Sequence, residues 1–221
     1  MIIYFLKSVH SLDTIQTWVE DIFTFIPNRQ ISAPENEPNY SNPAFGPVSR
    51  LCKYIPVDPM SWIKLTFPLP PQQSVYKTDP VYFISYLLQH SGSGSITEHL
   101  KNLDWAHEID IDCDNTKFNT MISVSIRATE SGFQNWVEIV NVLFSYLKIV
   151  TNLAADKKKD IFEELKILTD YSWNAKEETD AYSYCSGLSV NMSKYPPVDW
   201  LCCESIMPLW DLEAIDKDAV F

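Results

Sequence analysis

Apolar positions along this chain follow two rhythms. Over 12–25, Leu12, Ile15, Val19, Ile22 and Phe23 recur at three- and four-residue spacing, the stripe of one helix, with Ser11 placed to cap it. The same spacing predicts a helix from Asp79-Pro80 to about Gln89 that buries Ile84, Leu87 and Leu88. Thr129 opens a helix over about 130–150, whose expected buried face is Phe133, Trp136, Val137, Val140, Leu143, Phe144 and Leu147. Asp156 caps another over about 157–176, a further helix over about 180–193 follows Asp180, and Asp199 begins a last short one after the break at "YPPVDWL". The second rhythm is short and dense. "IIYFL" (2–6), "RLCKYIPV" (50–57), "SWIKLTF" (61–67) and "FNTMISVSIRA" (118–128) read as strands.

One more stretch alternates strictly. "HEIDIDCDN", residues 107–115, is a strand paired antiparallel with 118–128 if the residues between them form a hairpin. His107, Ile109, Ile111 and Cys113 then share one face, and Glu108, Asp110, Asp112 and Asp114 share the other. Same-face neighbours lie roughly 6.8 Å apart, so each pair of carboxylates repels by about 0.6 kcal/mol in water and by far more on a dry face. Three readings of this ladder compete: a solvated outer face on an edge strand guarded by charge, a docking strip for Lys or Arg side chains, or a calcium site. A straight row of oxygens suits calcium poorly, because calcium wants its ligands wrapped around it.

Breakers set the organisation. Five of the fourteen prolines lie in 27–47, which reads as a linker. "HSGSGS" at 90–95 is a small-residue turn, and Ser95 with Glu98 makes a capping box for a short helix to about Leu103. The expected fold is α+β, with a mixed, mostly antiparallel sheet packed against helices. The expected division is a strand–helix at 1–26, the linker at 27–47 and a domain over 48–221.

The 46% hydrophobic content describes a packed globular chain of 221 residues. Its net charge of −12 excludes the basic footprint of a nucleic-acid binder and disfavours an anionic membrane surface. Such a charge suits cationic partners such as basic peptides or metal ions, or simply keeps the protein in solution. The five cysteines include no CxxC pair, which points to reduced thiols and a cytoplasmic setting. "MIIYFLKSV" is too short for a signal peptide, and no apolar run reaches the roughly 18 residues of a membrane span.

Catalytic motifs are sparse. No HExxH occurs, and "SITEH" (95–99) approaches the inverted zinc motif HxxEH with Ser95 where the first histidine belongs. "HSGSGS" lacks the Gly-Lys-Ser/Thr ending of a phosphate loop, and no GxSxG or GxGxxG is present.

Several segments, in order, carry a resemblance: "SLDTIQTWVEDIF", "YIPVDPMSWIKLTFPLPPQQ", "DPVYFISYLLQHSGSGSITEHLKNLDWA", "SVSIRATESGFQNWVEIVNVLFSYLK" and "IFEELKILTDYSWNAKEETDAYSYCSGLSVNMSKYPPVDWL". Together they resemble the insulysin/nardilysin family of M16 zinc metallopeptidases, with "LPPQQ" and the acidic character leaning toward the nardilysin branch. The resemblance implies a clam shell of four homologous α+β domains, zinc being held by HxxEH in the first. This chain is similar to the non-catalytic second domain, preceded by the last strand and helix of the first. No cofactor is then expected in this chain, only zinc in the catalytic domain of the parent enzyme.

The resemblance also implies an exosite where a peptide substrate lies along an edge strand and reaches a glycine turn. Carried over, the turn is His90, Gly92, Gly94 and Ser95, and the strand is Glu108, Ile109, Asp110, Ile111 and Asp112, continuing to Asp114. Two positions depart from the family: Ser91 replaces a glutamate that would anchor a peptide amine, and the strand lacks the family's glycines. The implied partners are peptide substrates, basic or dibasic, and the other domains of the parent peptidase. The strand–helix at 2–25 would either fill the place of a missing C-terminal pair, as in a circular permutation, or stay apart from the sheet. Two other readings stand beside this one: a free-standing interaction module without catalysis, and an unrelated small enzyme using a thiol or an acid pair.

Overall fold

Side-chain caps start most of the helices. In a computed structural model, which describes residues 10–27, 29, 50–55, 57, 60–116, 119–203 and 209–213, Ser11 Oγ accepts the Thr14 N–H at 3.2 Å and opens α1 (Leu12–Phe23). Asp79 Oδ1 accepts the Tyr82 N–H at 3.1 Å ahead of α2 (Pro80–Gln89), with Pro80 in the first turn, where its missing N–H costs nothing. Ser95 caps α3 (Ile96–Asn102), and Thr129 Oγ1 takes the Gly132 N–H at 2.9 Å to open α4 (Glu130–Gln134). α5 (Trp136–Thr151) and α6 (Ala155–Asn174) follow, and Asp180 caps α7 (Ala181–Lys194) through the Ser183 N–H at 3.0 Å. Each such cap contributes about 1 kcal/mol.

The chain forms two compact units, residues 1–43 with 175–206, and residues 44–174 with 207–221. The first holds α1, α7 and a 3₁₀ turn at Pro197–Asp199. The second is built on β1 (Ser61–Leu69), β2 (Ala106–Asn115) and β3 (Thr120–Ala128), an antiparallel sheet in the order β1-β3-β2. Alternation sorts its side chains. Ile63 of β1, Ile122, Val124 and Ile126 of β3, and Ala106 and Ile109 of β2 enter the core. There they meet Phe83, Ile84 and Leu88 of α2, Ile96 and Leu100 of α3, Ile139, Leu143 and Leu147 of α5, and Phe162 and Leu165 of α6. Each large apolar side chain buried this way contributes roughly 1.5–3 kcal/mol. The helices therefore cover one face of the sheet and leave the other mostly to polar residues, with Trp62 alongside them. The expected α+β class, with an antiparallel sheet against helices, is what the fold shows.

Several expectations need correction. Residues 50–55 and 57 form no strand, and Leu51, Tyr54, Ile55 and Val57 are exposed. β1 pairs with β3 on one side, and no described strand offers 50–57 a partner. The helix expected over 130–150 breaks at Asn135, whose backbone (φ −102°, ψ 27°) and side-chain amide close α4 before α5 restarts. The buried stripe of α5 is Ile139, Leu143, Leu147 and Val150, whereas Phe133, Val137 and Phe144 are exposed. In α1 only Ile15 is buried, and Leu12 and Ile22 face solvent. α6 begins at Ala155, so Asp156 lies inside its first turn, and Asp199 ends a 3₁₀ turn where a helix start was expected. The expected strand at 2–6 and most of the 27–47 linker lie outside the described residues.

Two local features set the position of β2. A register shift between Ala106 and Glu108 inserts His107 as a bulge, so Ala106 and Ile109 both face the core while His107 is exposed. Just before it, a Cβ on Gly132 would stand 1.8 Å from the Trp105 carbonyl oxygen, so only glycine lets α4 dock on the loop that feeds the strand.

Candidate functional site

β2 lies at one edge of the sheet, and no other described strand pairs with its free side. Its partner β3 fixes the side-chain rows that cross the sheet. Glu108 stands opposite Arg127 and then Trp62, Asp110 opposite Ser125 and then Lys64, and Asp112 opposite Ser123 and then Thr66. Ile109 is buried and Ile111 half-buried on the opposite face. Cys113 is exposed, although it was expected to continue that apolar row.

The ladder is not uniform. Glu108 Oε1 lies 3.0 Å from Arg127 Nε, a charge contact in which the N–H is not aimed at the oxygen well enough to hydrogen-bond. Both side chains keep contact with solvent, so this pair contributes under about 1 kcal/mol. Among the described residues no cation pairs with Asp110, Asp112 or Asp114, and all three are exposed. The strip that the sequence presents as four carboxylates is therefore three free ones beside one already matched.

The turn at 90–95 packs tightly. His90 ends α2, its N–H donating to the Tyr86 carbonyl at 3.0 Å, and its exposed imidazole folds over Gly92, where a Cβ would fall 2.6 Å from Nε2. Gly94 adopts φ +82°, a conformation that favours glycine. Ser95 is buried and its Oγ accepts the Glu98 N–H at 3.1 Å. Glu98 reaches one residue further back than a capping box requires, with Oε2 accepting the Gly94 N–H at 2.7 Å. Gln89, at the end of α2, places Nε2 3.5 Å from the Ile111 carbonyl oxygen, at the long end of hydrogen-bond range. The turn and the strand thus meet at one place.

These same bonds occupy the residues of "SITEH". Ser95 stands at the first position of "SITEH" and spends its oxygen on the helix cap, while Glu98 spends a carboxylate oxygen on Gly94. No group of three or more His, Cys, Asp or Glu side chains suited to a metal gathers among the described residues. With Ser95 at the first position and both Ser95 and Glu98 engaged at the helix cap, this donor set does not fit zinc.

Thiol chemistry finds little support at β2. Partial enclosure pushes the Cys113 thiol up, and the negative charges of Asp79 and Asp114 push it further. A raised thiol holds less thiolate at neutral pH.

Sequence reasoning missed the residues across from the ladder. Tyr54, Trp62, Lys64 and Ser125 line an open pocket with Asp110 and Asp112, and Gln89 and Ile111 complete its wall. Alternation within "SWIKLTF" already put Trp62 and Lys64 on one face, but only the strand order set that face beside the carboxylates.

Comparison with known proteins agrees with this architecture. The family model described as the peptidase M16 inactive domain matches residues 10–166. The chain is 31% identical to nardilysin of Rattus norvegicus over 210 residues, covering 91% of this chain and 18% of that protein. It is 31% identical to nardilysin of Homo sapiens over 220 residues, covering 96% and 19%. Among solved structures, pitrilysin superposes with a TM-score of 0.78 at 19% identity, over 96% of this chain and 22% of that one, which shows a shared fold. The chain thus spans about a fifth of the length of these relatives. On the family match and the nardilysin similarity, the chain belongs to the peptidase M16 family, within its inactive domain.

Proposed function

We propose that this chain is a non-catalytic, substrate-holding part of a nardilysin- or insulysin-like zinc metalloendopeptidase, and that β2 takes up extended peptides rich in basic residues. The observation that carries this reading is the edge position of β2 combined with three unmatched carboxylates on its outer face. An extended peptide joining that edge would gain main-chain hydrogen bonds, and alternate side chains would pass over Asp110, Asp112 and Asp114. The carboxylates then favour Lys and Arg at those alternate positions, which fits a basic or dibasic preference. Zinc and the base that activates water belong, on this reading, to another domain of the parent enzyme.

Amide hydrogen exchange tests the proposal. Adding a saturating peptide of Arg-Lys pairs should slow exchange along 108–114 and leave α6 unchanged. Unaltered exchange along β2 in the presence of bound peptide would place the peptide elsewhere and end this reading.

A further inference from the structure

The free edge of β2 has a fixed parity. In an antiparallel ladder, residues whose N–H and C=O both reach the partner strand alternate with residues whose groups point away from it. The Thr116 N–H donates to the Asn119 carbonyl at 2.9 Å, and the register carries that pairing unbroken from Asn115 opposite Thr120 to Glu108 opposite Arg127. Glu108, Asp110, Asp112 and Asp114 therefore bond to β3, and Ile109, Ile111, Cys113 and Asn115 turn their N–H and C=O to the free side. One of those outward carbonyls is already met: Gln89 Nε2 stands 3.5 Å from the Ile111 oxygen. The end of α2 fixes the amide there. Leu88 is buried in the core, and the Tyr146 hydroxyl donates to the Leu87 carbonyl at 3.2 Å.

A peptide strand added to β2 would bring its own N–H to the Ile111 oxygen, with the nitrogen at about 2.9 Å. That nitrogen and the Gln89 amide compete for one oxygen and for the space before it. We propose that Gln89 is a latch on this edge: its side-chain amide occupies the Ile111 carbonyl, holds an incoming peptide to the 113–115 end of β2, and must turn aside before pairing reaches Ile111 and Ile109. The inference rests on the reading of β2 as a peptide-holding strand, and it concerns where the pairing stops rather than which side chains the peptide carries. Gln89 is a positioning residue, and its exposure leaves the side chain room to turn. The same contact covers a carbonyl otherwise open to a second chain, which is one way edge strands are shielded.

The test uses the 221-residue chain, a labelled, end-capped peptide of Arg-Lys pairs and residue-resolved amide exchange. Gln89→Ala removes the amide, and Gln89→Asn keeps it on an arm one methylene shorter. Both variants should bind the peptide roughly threefold more tightly than the natural chain, as the net worth of one neutral hydrogen bond allows. In the natural chain, bound peptide should slow exchange at the Cys113 and Asn115 N–H groups and leave Ile111 and Ile109 fast. In both variants the protection should extend to Ile111 and Ile109. A solely structural role for Gln89 would not move that pattern, and circular dichroism checks that each variant is folded. Unchanged or weaker binding by Gln89→Ala, or full protection of Ile111 already in the natural chain, overturns the latch and leaves the peptide-holding reading standing. Bound peptide that protects none of these four amides, or no binding by any of the three chains, overturns that reading and the latch with it.

Discussion

Asp79 shows how one residue can serve its element and strain it together. Its carboxylate caps α2 through the Tyr82 N–H, while its backbone sits at φ 26°, where few side chains other than Asn and Asp are at ease. Desolvation raises its pKa above the ordinary 3.8, and the Tyr82 N–H offsets part of that rise. The folded state therefore binds a proton that the unfolded chain releases, between 3.8 and the raised value. Ionisation costs stability above that window, and the cost vanishes as the pH falls below it. Asp79→Asn keeps the cap and removes the titration. In denaturant melts, the stability of the natural chain relative to this variant should rise as the pH drops from about 7 to about 3.5. A gap that stays flat or narrows in the other direction contradicts the half-buried, costly carboxyl.

At the scale of elements, caps were legible in the sequence and helix phase was not. Ser11, Ser95 and Thr129 cap the helices that their positions announced, because a cap is a contact within four residues. "WVEIVNVLFSYLKIVT" carries apolar residues around most of its circumference, so spacing alone could not choose the face, and the break at Asn135 removed the anchor for counting from Phe133. Tertiary packing made the choice, burying Ile139 completely and leaving Val137 48% exposed. Ile139→Ala should cost roughly 2–5 kcal/mol and Val137→Ala under about 0.5 kcal/mol in equilibrium unfolding. Equal costs would mean that α5 is turned toward the face expected from sequence. Segment 50–57 failed for a related reason: a strand needs a partner, and composition cannot supply one.

At the scale of the whole molecule, the sheet of the M16 inactive domain has an inner face closed by helices, a mostly polar outer face and, among the described residues, an edge strand β2 paired on one side only. The alternation in "HEIDIDCDN" made the acidic face legible, and the bulge at His107 took that residue out of the core row without moving Glu108 or the aspartates. The pairing of Glu108 with Arg127 was hidden, because it depends on strand order, as does the pocket that Trp62 and Lys64 share with Asp110. What remains open to a partner is the row Asp110, Asp112 and Asp114. The most direct test is a titration of a labelled peptide of Arg-Lys pairs against the natural chain and against a variant with these three changed to Asn, at low and moderate salt. Saturable binding that weakens as salt shortens the Debye length toward about 8 Å, and that the variant loses, is the predicted result. Equal binding by both chains, or none by either, would return the ladder to a solvated surface and contradict its role in holding substrate.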